Sequence, residues 1–107
     1  MRKLVNLLVR KDGMTHEDFR DYWLEEHAPL ARDLPGVVKY VTSLPADPEK
    51  SDYDGIAELY LREDADVASV FGSEPGKTVQ ADTDNFLDTD AGEIVIVDQT
   101  VQFDDRE

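Results

Sequence analysis

Three features of this 107-residue sequence predict a single α+β domain, an antiparallel four-stranded sheet with helices on one face. Strand-like apolar runs recur at residues 3–10, 37–42, 53–61 and 93–103, each bounded by turn-forming residues. Helical spacing of apolar residues fills the interval between the first two runs and again between the last two. The length suffices for one hydrophobic core and not for two.

The first strand, residues 3–10 (KLVNLLVR), alternates Val5, Leu7 and Val9 with Leu4, Asn6 and Leu8. Both faces are largely apolar, which places the strand in a sheet covered on both sides. Lys11-Asp12-Gly13 makes a turn. Thr15 then caps a helix, with Asp18 at the third helical position completing a capping-box-like pair, and Glu17 and Asp18 complement the positive helix end. This helix runs through Phe19, Tyr22 and Trp23 to about His27, where Pro29 disfavours helical geometry at Ala28 and predicts a bend.

A short helical turn and Leu34-Pro35-Gly36 lead into the second strand, residues 37–42, followed by a loop at 43–52 rich in Pro, Asp and Ser. The third strand, residues 53–61, carries Gly55, Ala57, Leu59 and Leu61 on one face, where small residues admit a close helix. Asp54, Ile56, Glu58 and Tyr60 form the other, a mixed face suited either to a lined pocket or to solvent. A short helix at 64–71, a break at 72–76 and a helical pattern at 79–87 precede the last strand, 93–103, and an acidic tail. The order β-α-β-β-α-β is that of the split ferredoxin-like unit. Helices on one sheet face leave the apolar second faces of strands one and four bare. A second copy of the sheet would bury them, which predicts a homodimer joined through its sheet faces.

The charge is lopsided. Residues 1–46 carry seven acids and seven bases, whereas residues 47–107 carry 18 acids and four bases, for a formal net charge of −14. Such a surface disfavours nucleic acid and anionic membranes as partners. Recurrent strand-like runs argue against disorder as the cause of this acidity. Binding of a basic partner or solubility would account for it, but sixteen Asp, nine Glu and only five Lys suit better a high-salt cytoplasm, where charge repulsion is screened, and so a halophilic source. The absence of cysteine excludes disulfides and thiolate chemistry, and two histidines cannot alone build a multi-histidine metal centre. No apolar run approaches the roughly 20 residues that span a bilayer. The charged N-terminus does not read as a secretory leader, so a cytoplasmic location is expected.

The richest segment is THEDFRDYWLEEHAPLARDLPGVVKY, from Thr15 to Tyr40. Phe19, Trp23 and His27 stand four apart, which on a helix puts an imidazole in line with two large rings. The chain resembles the EthD family of dimeric α+β barrel proteins. The resemblance rests on the lysine-led strand KLVNLLVRK, the Thr-x-x-x-Phe-x-x-x-Trp helix start and the His-Ala-Pro-Leu that ends it. LPGVVKY, YDGIAELY and Asp-x-Asp-Asn-Phe-Leu-Asp follow in the family's order. The family is named for a small protein needed in bacterial ethyl tert-butyl ether degradation beside an oxygenase system. Its wider superfamily includes cofactor-free monooxygenases, haem-degrading enzymes, lactone isomerases and polyketide cyclases. The resemblance therefore implies the fold and a homodimer, with a small hydrophobic ligand that is isomerised, cyclised or oxygenated, or else carried for an oxygenase partner. Fold analogy alone names no reaction.

His27, which falls in the His-Ala-Pro-Leu motif, is the first candidate, as a general acid/base or as a cap on the last helical carbonyls. Tyr40 is expected either to donate a phenolic hydrogen bond into the cavity or to sit at the core edge with a wet hydroxyl. Asn6, Trp23 and Glu58 are the candidate ligand-binding residues, Glu58 as a proton carrier if buried. His16 reads as exposed. Asp82, Asp84 and Asp88 lack the glycine and distal glutamate of a calcium loop and read as a solvated acidic face. No metal and no cofactor are expected.

Overall fold

The computed structural model describes residues 1–106. Strands β1 (Arg2–Leu8), β2 (Val37–Ser43), β3 (Gly55–Leu61) and β4 (Glu93–Asp98) form one antiparallel sheet in the order β2-β3-β1-β4. That order, with helical crossovers between β1 and β2 and between β3 and β4, is the ferredoxin-like α+β fold. Helices α1 (His16–Tyr22), α2 (Val67–Gly72) and α3 (Glu74–Asp82) lie in those crossovers.

Register assigns every strand residue to a face. Tyr40, Leu59, Leu4 and Ile96 form one row across the sheet, and Thr42, Ala57, Asn6 and Ile94 the next; the helices pack on this side. The opposite face carries Lys39, Tyr60, Lys3 and Val97, then Val41, Glu58, Val5 and Val95. No helix among the described residues packs on it, and Val95 and Ile56 remain 47% and 37% exposed.

The core forms where the α1 stripe meets the sheet. Thr15 Oγ1 accepts from the Asp18 amide at 3.0 Å, which starts α1 as its spacing predicts. Phe19, Trp23 and His27 all turn inward and are buried. Phe86 completes the layer, with ring centroids 5.7 Å from Phe19 and 5.3 Å from Tyr22.

The end of α1 departs from the expected bend. Ala28 keeps helical angles (φ −57°, ψ −39°), and its amide donates to the carbonyl of Trp23, five residues back. The helix therefore widens into a π turn over Trp23–His27, then tightens into a 3-10 turn over Ala28–Asp33. Pro29 lacks an N–H and cannot continue the α-helical ladder, so the chain accommodates it by changing the winding rather than direction. A four-residue step in an α-helix overshoots a full turn by about 40°. The wider turn works against that overshoot, and His27 stays buried on the same side as Trp23.

Three other boundaries differ from expectation. β1 stops at Leu8, because Arg10 leaves the sheet to bridge with Leu87 and to bond Asp54. β4 stops at Asp98 and not at residue 103: Asp98 is the last residue paired with β1, opposite Arg2, and the Gln99 amide donates to the Met1 carbonyl. Val101 and Phe103 are left exposed. The second crossover holds two helices because Ser73 ends one and starts the next: its hydroxyl donates to the Val70 carbonyl and accepts from the Gly76 amide. Among the described residues, no helix is long and apolar enough to cross a membrane.

Candidate functional site

A cavity of about 720 Å³ lies between the helix-side face of the sheet and the helices. Leu4, Leu8, Ala57 and Leu59 form its sheet wall, Val67, Phe71 and Val79 its helical wall, and Phe86 and Leu87 complete the apolar lining. Ile94 and Ile96, on the thinly covered edge strand, line its open side. Into this apolar space project Asn6, Trp23, His27 and Tyr40. Asn6 belongs there because it shares the face of Leu4 and Leu8 on β1.

Trp23 and Tyr40 are joined. The indole Nε1–H donates to the Tyr40 hydroxyl oxygen at 3.1 Å, so an entirely buried indole has its one polar atom satisfied. Burial raises the Tyr40 pKa, partly offset by the hydrogen bond from Trp23. The phenol thus stays neutral at physiological pH and keeps its hydrogen to donate.

His27 is 6% exposed and touches the cavity. Its Nδ1 lies 2.7 Å from Asp82 Oδ2 rather than on a backbone carbonyl, and its ring centroid is 4.6 Å from that of Phe86. Asp82 Oδ1 also accepts from the Tyr22 hydroxyl at 2.6 Å and from Asn85 Nδ2 at 2.9 Å. Desolvation pushes the Asp82 carboxyl up, but the hydrogen bonds from Tyr22, His27 and Asn85 together outweigh it and hold the pKa below its ordinary value. The same carboxylate raises the Tyr22 phenol. Asp82 therefore faces inward as an ion, whereas the sequence placed it on a solvated acidic face. Its partner stands 55 positions away, a distance at which local spacing carries no signal.

Glu58, expected on the same cavity as His27, lies on the opposite sheet face. The β1–β3 register pairs it with Val5, and its Oε2 meets Lys3 Nζ at 2.5 Å. Lys3 also donates to Gln99 Oε1 at 2.8 Å, and the Glu58 carboxylate raises the Lys3 pKa above its ordinary value. His16 is half-buried rather than exposed. Arg10 Nη1 lies 2.7 Å both from its Nδ1 and from Asp54 Oδ1.

Fold and cavity together define a ferredoxin-like α+β domain with a space for a ligand between sheet and helices. The EthD domain model matches residues 11–90, and the chain belongs to the EthD family. An EthD family protein from Bacillus halodurans C-125 superposes with a TM-score of 0.78 at 20% identity, over 94% of this chain and 99% of that one. HapK from Hahella chejuensis superposes with a TM-score of 0.74 at 11% identity, over the whole of both chains. SnoaB, a cofactor-independent oxygenase from Streptomyces nogalater, does so with a TM-score of 0.67 at 12% identity, over 95% of this chain and 97% of that one. At these identities the likeness establishes the fold. No curated protein matches the chain.

Proposed function

We propose that this protein binds a small, largely apolar molecule in the cavity and that His27 exchanges a proton with it. The observation that carries this reading is a buried imidazole, hydrogen-bonded to a carboxylate on one side, touching an otherwise apolar cavity of about 720 Å³. Such a cavity with a few convergent polar groups is the usual form of a small-molecule site. His27 is the acid/base, Tyr40 orients a ligand oxygen through its free hydrogen, Asn6 offers a polar contact on the sheet wall, and Trp23 supplies a flat apolar surface. Proton removal from a carbon or hydroxyl acid opens isomerisation and cyclisation alike. Oxygenation of an activated carbanion would begin with the same step, and SnoaB, which shares the fold, is a cofactor-independent oxygenase.

The apolar bulk of the lining favours one second reading, a carrier that sequesters a hydrophobic molecule for an oxygenase partner. Two further inferences accompany either reading. The bare sheet face, with Val5, Val41 and Val95 in one row, supports a homodimer joined through it. The net charge of −14 supports a cytoplasm rich in salt.

Calorimetric titration with 1-naphthol, a neutral bicyclic phenol, tests the site. Wild type is expected to bind, and His27→Ala to weaken binding about fivefold or more, the worth of one hydrogen bond. Binding that His27→Ala leaves unchanged favours the carrier, and a wild type that does not bind at all removes the cavity reading.

A further inference from the structure

We propose that Asp82 is the positioning residue for His27, holding the hydrogen on Nδ1 so that the Nε2 lone pair is left free for the cavity. The inference rests on the proton-transfer reading above and adds to it the group that prepares the base. An ionised carboxylate only accepts hydrogen bonds, so the hydrogen between Asp82 Oδ2 and His27 Nδ1, 2.7 Å apart, belongs to the imidazole. Nε2 has no hydrogen-bond partner among the described residues, and it is not a sealed, unsatisfied atom.

Asp82 is itself fixed. The Tyr22 hydroxyl at the end of α1 and Asn85 Nδ2 in the turn after α3 both donate to Oδ1, and Asn85 Nδ2 lies 3.3 Å from the Tyr22 hydroxyl. The carboxylate, on the last residue of α3, is thus held by one donor from the end of α1 and one from the turn that follows α3. Phe86 packs on the imidazole, so a flipped ring would keep its packing but set a carbon against Oδ2 and lose the hydrogen bond to the carboxylate. One ring orientation and one tautomer remain. In the reaction, Nε2 takes a proton from an O–H or activated C–H of the ligand, and the imidazolium formed is stabilised by Asp82. The proton then returns from Nε2 to a second atom of the same ligand, leaving the enzyme unchanged and requiring no co-reactant.

Nitrogen-15 NMR of histidine-labelled protein without ligand tests this directly, with His16→Gln assigning the two rings. At pH 8, where an ordinary imidazole is neutral, wild-type His27 is expected as the Nδ1–H tautomer with a bare Nε2. Asp82→Ala is expected to shift His27 toward the Nε2–H form while near-ultraviolet circular dichroism shows the fold retained. Tyr22→Phe, which leaves the Asp82–His27 contact in place, is expected to keep the wild-type tautomer. An Nε2–H tautomer in the wild type, or an unchanged tautomer in folded Asp82→Ala, overturns the proposal. Should Asp82→Ala not fold, the wild-type tautomer alone decides. Because no ligand is involved, failure of 1-naphthol to bind would remove the cavity reading without touching this result.

Discussion

The indole of Trp23 lies directly on Gly55, so close that a Cβ added there would stand 2.5 Å from Cζ3 and 3.0 Å from Cη2. Gly55 opens β3, and its missing side chain makes the socket for the largest core residue. Trp23 cannot move aside, because Phe19 packs on it at 5.6 Å. Gly55→Ala is therefore expected to destabilise the fold by about 1–3 kcal/mol through overpacking. Urea denaturation of the two proteins measures it, and an equal midpoint would show that the ring has room to shift.

The Asp82 carboxyl gives the fold an acid-sensitive component. Its pKa is lower folded than its ordinary value of 3.8. The stability it contributes is present wherever it is ionised, above that ordinary value, and is lost as pH falls through the folded pKa. Asp82→Ala should flatten the acid limb of a plot of melting temperature against pH below about pH 5, where the carboxyl begins to take up its proton. At neutral pH it should also cost about 1–3 kcal/mol, because Tyr22 and His27 lose their acceptor.

Removing the Tyr40 hydroxyl strands the Trp23 Nε1–H in a fully buried indole. Tyr40→Phe should cost about 1–3 kcal/mol, whereas the same change made in a Trp23→Phe background should cost less, since the donor is already gone. Additive losses in that cycle would mean the bond contributes nothing to stability.

The fold should strengthen with salt. The surplus of 14 acids over bases falls entirely in residues 47–107, so their mutual repulsion is least screened at low ionic strength. Melting temperature should climb from 0.05 to 1 M KCl, and a flat response would assign the acidity to another purpose.

The bare sheet face makes an assembly prediction. Light scattering at micromolar concentration should give twice the chain mass. Val95→Lys, at a position already 47% exposed in the single chain, should give the chain mass with circular dichroism unchanged. A monomeric wild type would sink the homodimer.

Much of this architecture was legible locally. Alternation in KLVNLLVR and YDGIAELYL sets the faces of the two central strands, and the spacing of Phe19, Trp23 and His27 sets the inward stripe of α1. What eluded the sequence depends on remote partners. The tail pattern to Phe103 is strand-like, yet the ladder with β1 ends at the Arg2–Asp98 pair. The helix start at Ser73 was readable from Ser-Glu-Pro, a cap followed by an early proline, but it fell in a region taken as a break. Glu58 was correctly set opposite Ala57 and Leu59, but which face holds the cavity follows only from where the helices pack. Asp82 finds its role through His27, and that pairing exists only once α1 and α3 are side by side.

Trp23 is the chain's single tryptophan, and it forms part of the cavity wall while tied through Nε1 to Tyr40. The protein consequently carries an intrinsic fluorophore at the place where a ligand would arrive. Its emission should be blue-shifted in the empty protein, as for an indole shielded from water. Occupancy of the cavity should register as quenching or energy transfer with no label attached, so candidate ligands can be screened by light on the unmodified chain.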